Sequence, residues 1–161
     1  MKECPACGAC FPDNLNHCGA DGKALRDSLR GDLVLDGRYK LERRLGHGGM
    51  GIVYKATHVF LKSTHAVKVI LPDLVGNDPN LGTRFRQEAM VAASIVHRNI
   101  VRVTDFGMAN REMPYLIMEF LQGKSLYDFL QQHGKLSVKL ALEIMEPITA
   151  GVGAAHRQTI I

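Results

Sequence analysis

Residues 39–58 read YKLERRLGHGGMGIVYKATH, and this stretch decides what the chain folds into. Tyr39, Leu41, Arg43 and Leu45 fall on alternate positions, which predicts a strand. Three spaced glycines follow, Gly46, Gly48 and Gly51. Glycine lets the backbone approach a phosphate closely and offer it N–H groups. The spacing alone is ambiguous, because dinucleotide-binding proteins share it. In those proteins the last glycine opens a helix and an acidic residue comes about 20 positions on. Here the glycines run into IVYKATHVF, rich in β-branched and aromatic residues, which predicts a second strand. The residue at the acidic position is a lysine, Lys68. A plain glycine-rich hairpin has the same letters, and Lys68 argues against it.

Lys68 lies in STHAVKVIL, residues 63–71. Alternation puts Val67 and Val69 on one face and Ala66, Lys68 and Ile70 on the other. Both faces are apolar apart from this one amine. A lysine in such surroundings is costly unless a carboxylate or a ligand phosphate meets it. Glu88 is the candidate carboxylate, on a helix predicted over 81–96. Its neighbours in spacing are Arg84, Arg86 and Ala92, so periodicity alone does not turn it inward.

All four cysteines fall within CPACGACFPDNLNHCGADG, residues 4–22. Cys4-Pro-Ala-Cys7-Gly8 is a tight turn that aims two sulfurs at one point, and His17-Cys18-Gly-Ala-Asp21-Gly22 offers a second. Zinc takes four tetrahedral ligands, and two facing turns supply them. Asp21 stands where a fourth cysteine would complete the pattern. The expected set is Cys4, Cys7, Cys18 and one of Asp21, His17 or Cys10. A C-x2-C-x2-C iron–sulfur site is the weaker alternative, because no Cys-Pro follows. A flexible tail with free thiols is the bland one. A segment this short needs such a staple to hold a shape.

The bulk properties bound the rest. With 161 residues, 46% hydrophobic and 22% charged, the chain is globular and about one domain long. No apolar run approaches the roughly 20 residues that cross a bilayer, and no secretory signal opens the chain. Thiols without such a signal suit a cytoplasmic protein. Residues 1–36 carry four Lys/Arg against six Asp/Glu, and the remainder sixteen against ten. The basic excess is spread without a run, so nucleic-acid binding is not expected. Residues 23–36, KALRDSLRGDLVLD, read as a linker between a head (1–22) and the main unit (37–161).

Five motifs in this order resemble a known family: LGHGGMGIVYKA, HAVKVI, FRQEA, HRNIVRV and PYLIMEFLQGKSL. They are similar to the N-terminal lobe of a protein kinase, in the style of bacterial eukaryotic-like Ser/Thr kinases, over roughly 37–161. The cysteine-rich start resembles the zinc-ribbon heads of some of these kinases. The resemblance implies an α+β fold: a five-stranded antiparallel sheet with its αC helix, a hinge and the first helices of the C-terminal lobe, truncated there. It implies that Gly46, Gly48 and Gly51 lie over the ATP phosphates and that Lys68 holds the α/β-phosphates and pairs with Glu88. Leu45, Val53 and Ala66 would pack on the adenine, Met118 would be the gatekeeper, and Glu119 and Leu121 would form the hinge. ATP, Mg2+ and protein substrates are the implied partners of the full enzyme, with Zn2+ in the head.

Two stretches imitate catalytic motifs. Asp105-Phe106-Gly107 spells the magnesium-binding tripeptide, yet it precedes the hinge, so it is expected to end a strand. His156-Arg157 is followed by Gln158, so no catalytic base stands there. The last helix, capped by Ser137, carries Ala141, Ile144, Met145, Ile148, Val152 and Ala155 at helical spacing, with Pro147, Gly151 and Gly153 interrupting. Its stripe is expected to be exposed. These residues alone are therefore expected to transfer no phosphoryl group. A non-catalytic nucleotide-sensing or interaction module is the competing reading; a zinc-dependent nucleic-acid binder is a third, disfavoured by the acidic head.

Overall fold

The computed structural model describes residues 1–48, 51–71, 81–110, 113–158 and 160, without the side chains at 81, 82, 84 and 88. The described elements are β1 (Lys2–Glu3), β2 (Cys10–Phe11), β3 (Arg26–Asp27), β4 (Val34–Leu35), β5 (Tyr39–Gly48), β6 (Gly51–His58), β7 (Thr64–Ile70), α1 (Leu81–Ser94), β8 (Val103–Ala109), β9 (Met113–Glu119), α2 (Leu126–His133) and α3 (Val138–His156). Two antiparallel sheets result, ordered β2-β1-β3 and β4-β5-β6-β7-β9-β8. The larger sheet contains the five strands expected from the motifs and one more, β4, at its edge.

Alternation decides the two faces of the large sheet. Tyr54, Val67, Val69, Tyr115 and Ile117 are fully buried on one side. Burying a side chain of this size contributes roughly 1.5–3 kcal/mol. What covers them comes from the start of the chain: Met1, Cys10, Leu29 and Leu35 belong to the same apolar cluster. The stretch expected as a linker is thus structured. It contributes β3 and β4 and buries Leu29 and Leu35. The mixed charge and the glycines around this stretch are why the sequence pattern reads as linker.

Two glycines are there for close packing. A Cβ on Gly51 would sit 2.0 Å from the carbonyl oxygen of Val69, so β6 crosses β7 at a distance no larger residue allows. A Cβ on Gly151 would be 3.1 Å from the carbonyl oxygen of Asn99, so this glycine lets α3 approach residues 99–100. Helix α3 runs through Pro147 as one element, and Ser137 caps it by accepting a hydrogen bond from the Leu140 N–H at 3.2 Å. Of the stripe read from the sequence, Met145, Ile148 and Val152 are exposed, whereas Ala141, Ile144 and Ala155 are half-buried; Val138 and Leu142, outside that stripe, are exposed as well. Among the described residues, no helix is long and apolar enough to cross a membrane.

Candidate functional site

The open face of the large sheet is built by register. Val53 pairs with Lys68, Lys68 with Leu116, and Ala66 with Met118. Opposed residues share a face, so Val53, Ala66, Lys68, Leu116 and Met118 line one surface. All five are half-buried, in contrast to the sealed side. Lys68 thus shares its face with Val53, Ala66, Leu116 and Met118. The side chain of Glu88, its expected partner, lies outside the described residues. So do Gly49 and Met50. Gly46 pairs with Val53 and Gly48 with Gly51.

The flanks of this surface are partly formed. Leu45 is 41% exposed and Leu121 61%, so neither is buried by the residues described. Glu119 ends β9; its N–H donates to the Arg102 carbonyl at 3.0 Å, and its carboxylate accepts from the Arg102 N–H at 2.7 Å. With its N–H so engaged, the main-chain group Glu119 could offer a ligand edge is its carbonyl, as an acceptor. One residue not singled out by sequence shares this face. Lys55 pairs in register with Ala66, is bridged to Glu42 at 2.8 Å, and its ammonium lies 5.8 Å from the Phe120 ring centre. Its place two residues after Val53 is the signal that would have found it. Glu42 is held below the usual carboxylate range by hydrogen bonds from Lys55 and Thr57.

Asp105 sits on the other side of the sheet. It pairs with Ile117, whose side chain belongs to the sealed face. Its carboxylate accepts from Arg38 Nη1 and from the Tyr39 hydroxyl, both at 3.1 Å. The tripeptide is therefore a structural clasp. Asp105→Asn is expected to leave the affinity for Mg2+-nucleotide within twofold while lowering the unfolding midpoint. Titration with a fluorescent nucleotide, beside a urea melt, checks both; a tenfold loss of affinity at unchanged stability would contradict the assignment.

The head brings four of the predicted ligands together. One donor atom from each of Cys4, Cys7, Cys18 and Asp21 lies within 4.8 Å of all the others. The sulfurs of Cys7 and Cys18 are 3.8 Å apart, and Cys4 Sγ lies 3.3 Å from an Asp21 oxygen. A tetrahedron with metal–sulfur bonds of about 2.3 Å has edges of about 3.8 Å, so the donor spacing fits one ion. Two turns of the same build create the cluster. Gly8 N–H donates to Cys4 O and Gly22 N–H to Cys18 O, both at 2.9 Å; Cys4 N–H donates to Ala9 O at 2.9 Å and Cys18 N–H to Lys23 O at 2.8 Å. Gly8 and Gly22 adopt matching positive φ of 71° and 69°. By this repeat Asp21 is the counterpart of Cys7. His17 is instead bridged to Ala24, and Cys10 is buried with its sulfur toward the Gly8 carbonyl. Burial, then the charge of Glu3, pushes the Cys10 thiol up to about 12. The Lys23 N–H, then the Cys18 and Cys4 thiols, hold Asp21 below its ordinary value. All four cysteines are free of disulfides.

With an antiparallel sheet, a glycine turn and a lysine opposite it in place, comparison with known proteins gives the family. Residues 39–161 match the model of the protein kinase domain, and the chain belongs to the protein kinase family. It is 37% identical over 127 residues to the serine/threonine-protein kinase PrkC of Bacillus subtilis, covering 79% of this chain and 19% of that protein. It is 39% identical over 129 residues to the serine/threonine-protein kinase pkn2 of Myxococcus xanthus, covering 80% of this chain and 15% of that protein. The chain thus spans less than a fifth of these relatives. A crystal structure of the Mycobacterium tuberculosis PknI kinase domain superimposes with a TM-score of 0.66 at 26% identity, covering 82% of this chain and 54% of that one.

Proposed function

We propose that this chain is the ATP-binding part of a serine/threonine protein kinase, which in its full form transfers the γ-phosphoryl group of ATP to protein Ser or Thr. The observation that carries the reading is Lys68, half-buried on the open sheet face between Val53 and Leu116. In this role its ammonium neutralises the α/β-phosphates, and Glu88 on α1 holds it there. The N–H groups around Gly46, Gly48 and Gly51 line the phosphates. Val53, Ala66 and Leu45 pack on the adenine, Met118 closes the back of the slot, and Glu119 and Leu121 take the adenine edge. Transfer also needs Mg2+, which supplies charge neutralisation across the phosphates when bound. Because no His-Arg-Asp and no Asp-Phe-Gly follow the hinge in these 161 residues, binding without transfer is expected of them alone.

The head (1–22) is read as a zinc module held by Cys4, Cys7, Cys18 and Asp21, joined through 23–36 to the partial kinase domain (37–161). Zn2+ is the ion that three thiolates and a carboxylate select in a tetrahedral site. Reduced thiols suit the cytoplasm. The test of the nucleotide reading is titration of the chain with a fluorescent ATP analogue. Lys68→Met is expected to weaken binding at least about tenfold, the loss of a charge-assisted contact to phosphate. Equal affinities for the two proteins would overturn it.

A further inference from the structure

The metal cluster and the glycine turn are joined by the edge of the large sheet. Strand β4 covers β5 only at Tyr39 and Lys40. Beyond that the free edge of β5 is taken up by other segments. Leu41 N–H donates to Leu33 O at 2.9 Å, and Arg44 N–H donates to Gly8 O at 2.8 Å, beside a bridge between Ala9 and Arg43. Gly8 directly follows the ligand Cys7, and Arg44 lies two residues before Gly46. The contact is close: a Cβ on Gly8 would be 3.2 Å from Arg44 O, and its φ is positive. On its other side β5 is irregularly held there, because its pairing with β6 shifts register between Leu41 and Arg43 and again between Arg44 and Gly46.

A second tie ends on the same residue. Glu3, next to Cys4, is a charged residue only 2% exposed. Its Oε1 meets Arg44 Nη1 at 3.2 Å and Arg26 Nη2 at 2.6 Å, and its Oε2 accepts from Ser28 Oγ at 3.1 Å. Ser28 is in turn hydrogen-bonded to the buried Tyr54 hydroxyl at 2.9 Å. The turn bearing Cys4 and Cys7 therefore acts as an auxiliary edge strand, gripping β5 by main chain and by side chain where the ladder to β6 is weakest.

We infer that metal occupancy of the head sets the nucleotide affinity of the sheet: Zn2+ fixes the Cys4–Gly8 turn, the turn holds β5 at Arg44, and β5 so held presents Gly46 and Gly48 to phosphate. This rests on the zinc and nucleotide readings above. Without the ion, the three sulfurs and the carboxylate are left with weak thiol hydrogen bonds and the Lys23 N–H, and a head with so little core of its own loses its staple.

The test compares the zinc-loaded chain with the same chain stripped by a chelator. Amide exchange is followed at Arg44 and, as a reference in the sheet centre, at Ile117, alongside titration with a fluorescent ATP analogue. Stripping is expected to speed exchange at Arg44 about tenfold or more, to leave Ile117 unchanged, and to weaken nucleotide binding by about 5- to 100-fold. Restoring Zn2+ should reverse all three changes. Glu3→Gln, which keeps the four ligands, is expected to retain one Zn2+ and still exchange faster at Arg44. If stripping removes the ion but leaves Arg44 exchange and affinity unchanged, the coupling is wrong and the zinc reading stands. If Arg44 and Ile117 speed up together, the head is a general stabiliser and the coupling is again wrong. A wild-type chain that takes up no Zn2+ sinks the zinc reading and the coupling with it.

Discussion

Gly107→Ala is expected to cost about 3 kcal/mol of stability, toward the upper end of overpacking penalties. A Cβ at this position would lie 2.3 Å from Cζ and from the hydroxyl oxygen of Tyr115. The ring has nowhere to go. It is fully buried, its hydroxyl donates to Asp36, and Arg38 Nη2 donates to that hydroxyl at 3.4 Å. Burial and the Asp36 carboxylate both hold the phenol neutral, far above its ordinary value. Gly107 exists so that Tyr115 can cross β8 and tie the sheet to the segment before β5. Urea unfolding should show the midpoint falling with the slope unchanged. A shift worth less than about 0.5 kcal/mol, the size of an ordinary surface change, would contradict the packing described. Together with Asp105, this gives the tripeptide a purely structural explanation.

The second large effect concerns the head. Cys18→Ser is expected to reduce bound Zn2+ from one ion per chain to none and to open residues 1–22 to proteolysis. Apparent free energies for structural zinc run to about 10–16 kcal/mol in small modules, so losing one ligand removes more than the head's own core can replace. Cys10→Ser is the control. Its sulfur points at the Gly8 carbonyl inside the apolar cluster, away from the four converging donors. It should lose stability yet keep one Zn2+. Metal content by atomic emission and limited trypsin digestion decide it. Zinc lost with Cys10 and kept without Cys18 would assign the wrong ligand set.

What the sequence made legible is what has a period or a fixed spacing. Val67 and Val69 against Ala66 and Lys68 separate the two faces of β7 by alternation alone, and the two buried valines bear this out. The cysteine spacing pointed to the proposed metal cluster, but spacing left Asp21, His17 and Cys10 equal. The fourth donor emerges from hydrogen bonds repeated in two turns, which letters do not record. Strands of two residues, such as β1, β3 and β4, are too short to have a period. Their pairing comes from neighbours remote in sequence, so residues 23–36 pass for a linker. Glu3 was invisible for a different reason: a lone acid near a chain start looks solvated, and its burial depends on Arg26, Arg44 and Ser28 arriving from elsewhere. Exposure along α3 was legible at Met145, Ile148 and Val152, whereas the packing role of Gly151 against Asn99 was not.

The proposed nucleotide site is one surface, the open face of the sheet around Lys68. Chemical-shift mapping of the chain during titration with Mg2+-ATP tests it most directly. The expected footprint covers the amides of Gly46, Val53, Ala66, Lys68 and Glu119 and saturates together, with Asp105, Phe106 and Gly107 unmoved. Shifts that centre on Asp105–Gly107, or that fail to saturate anywhere on the β6–β7–β9 face, would contradict it.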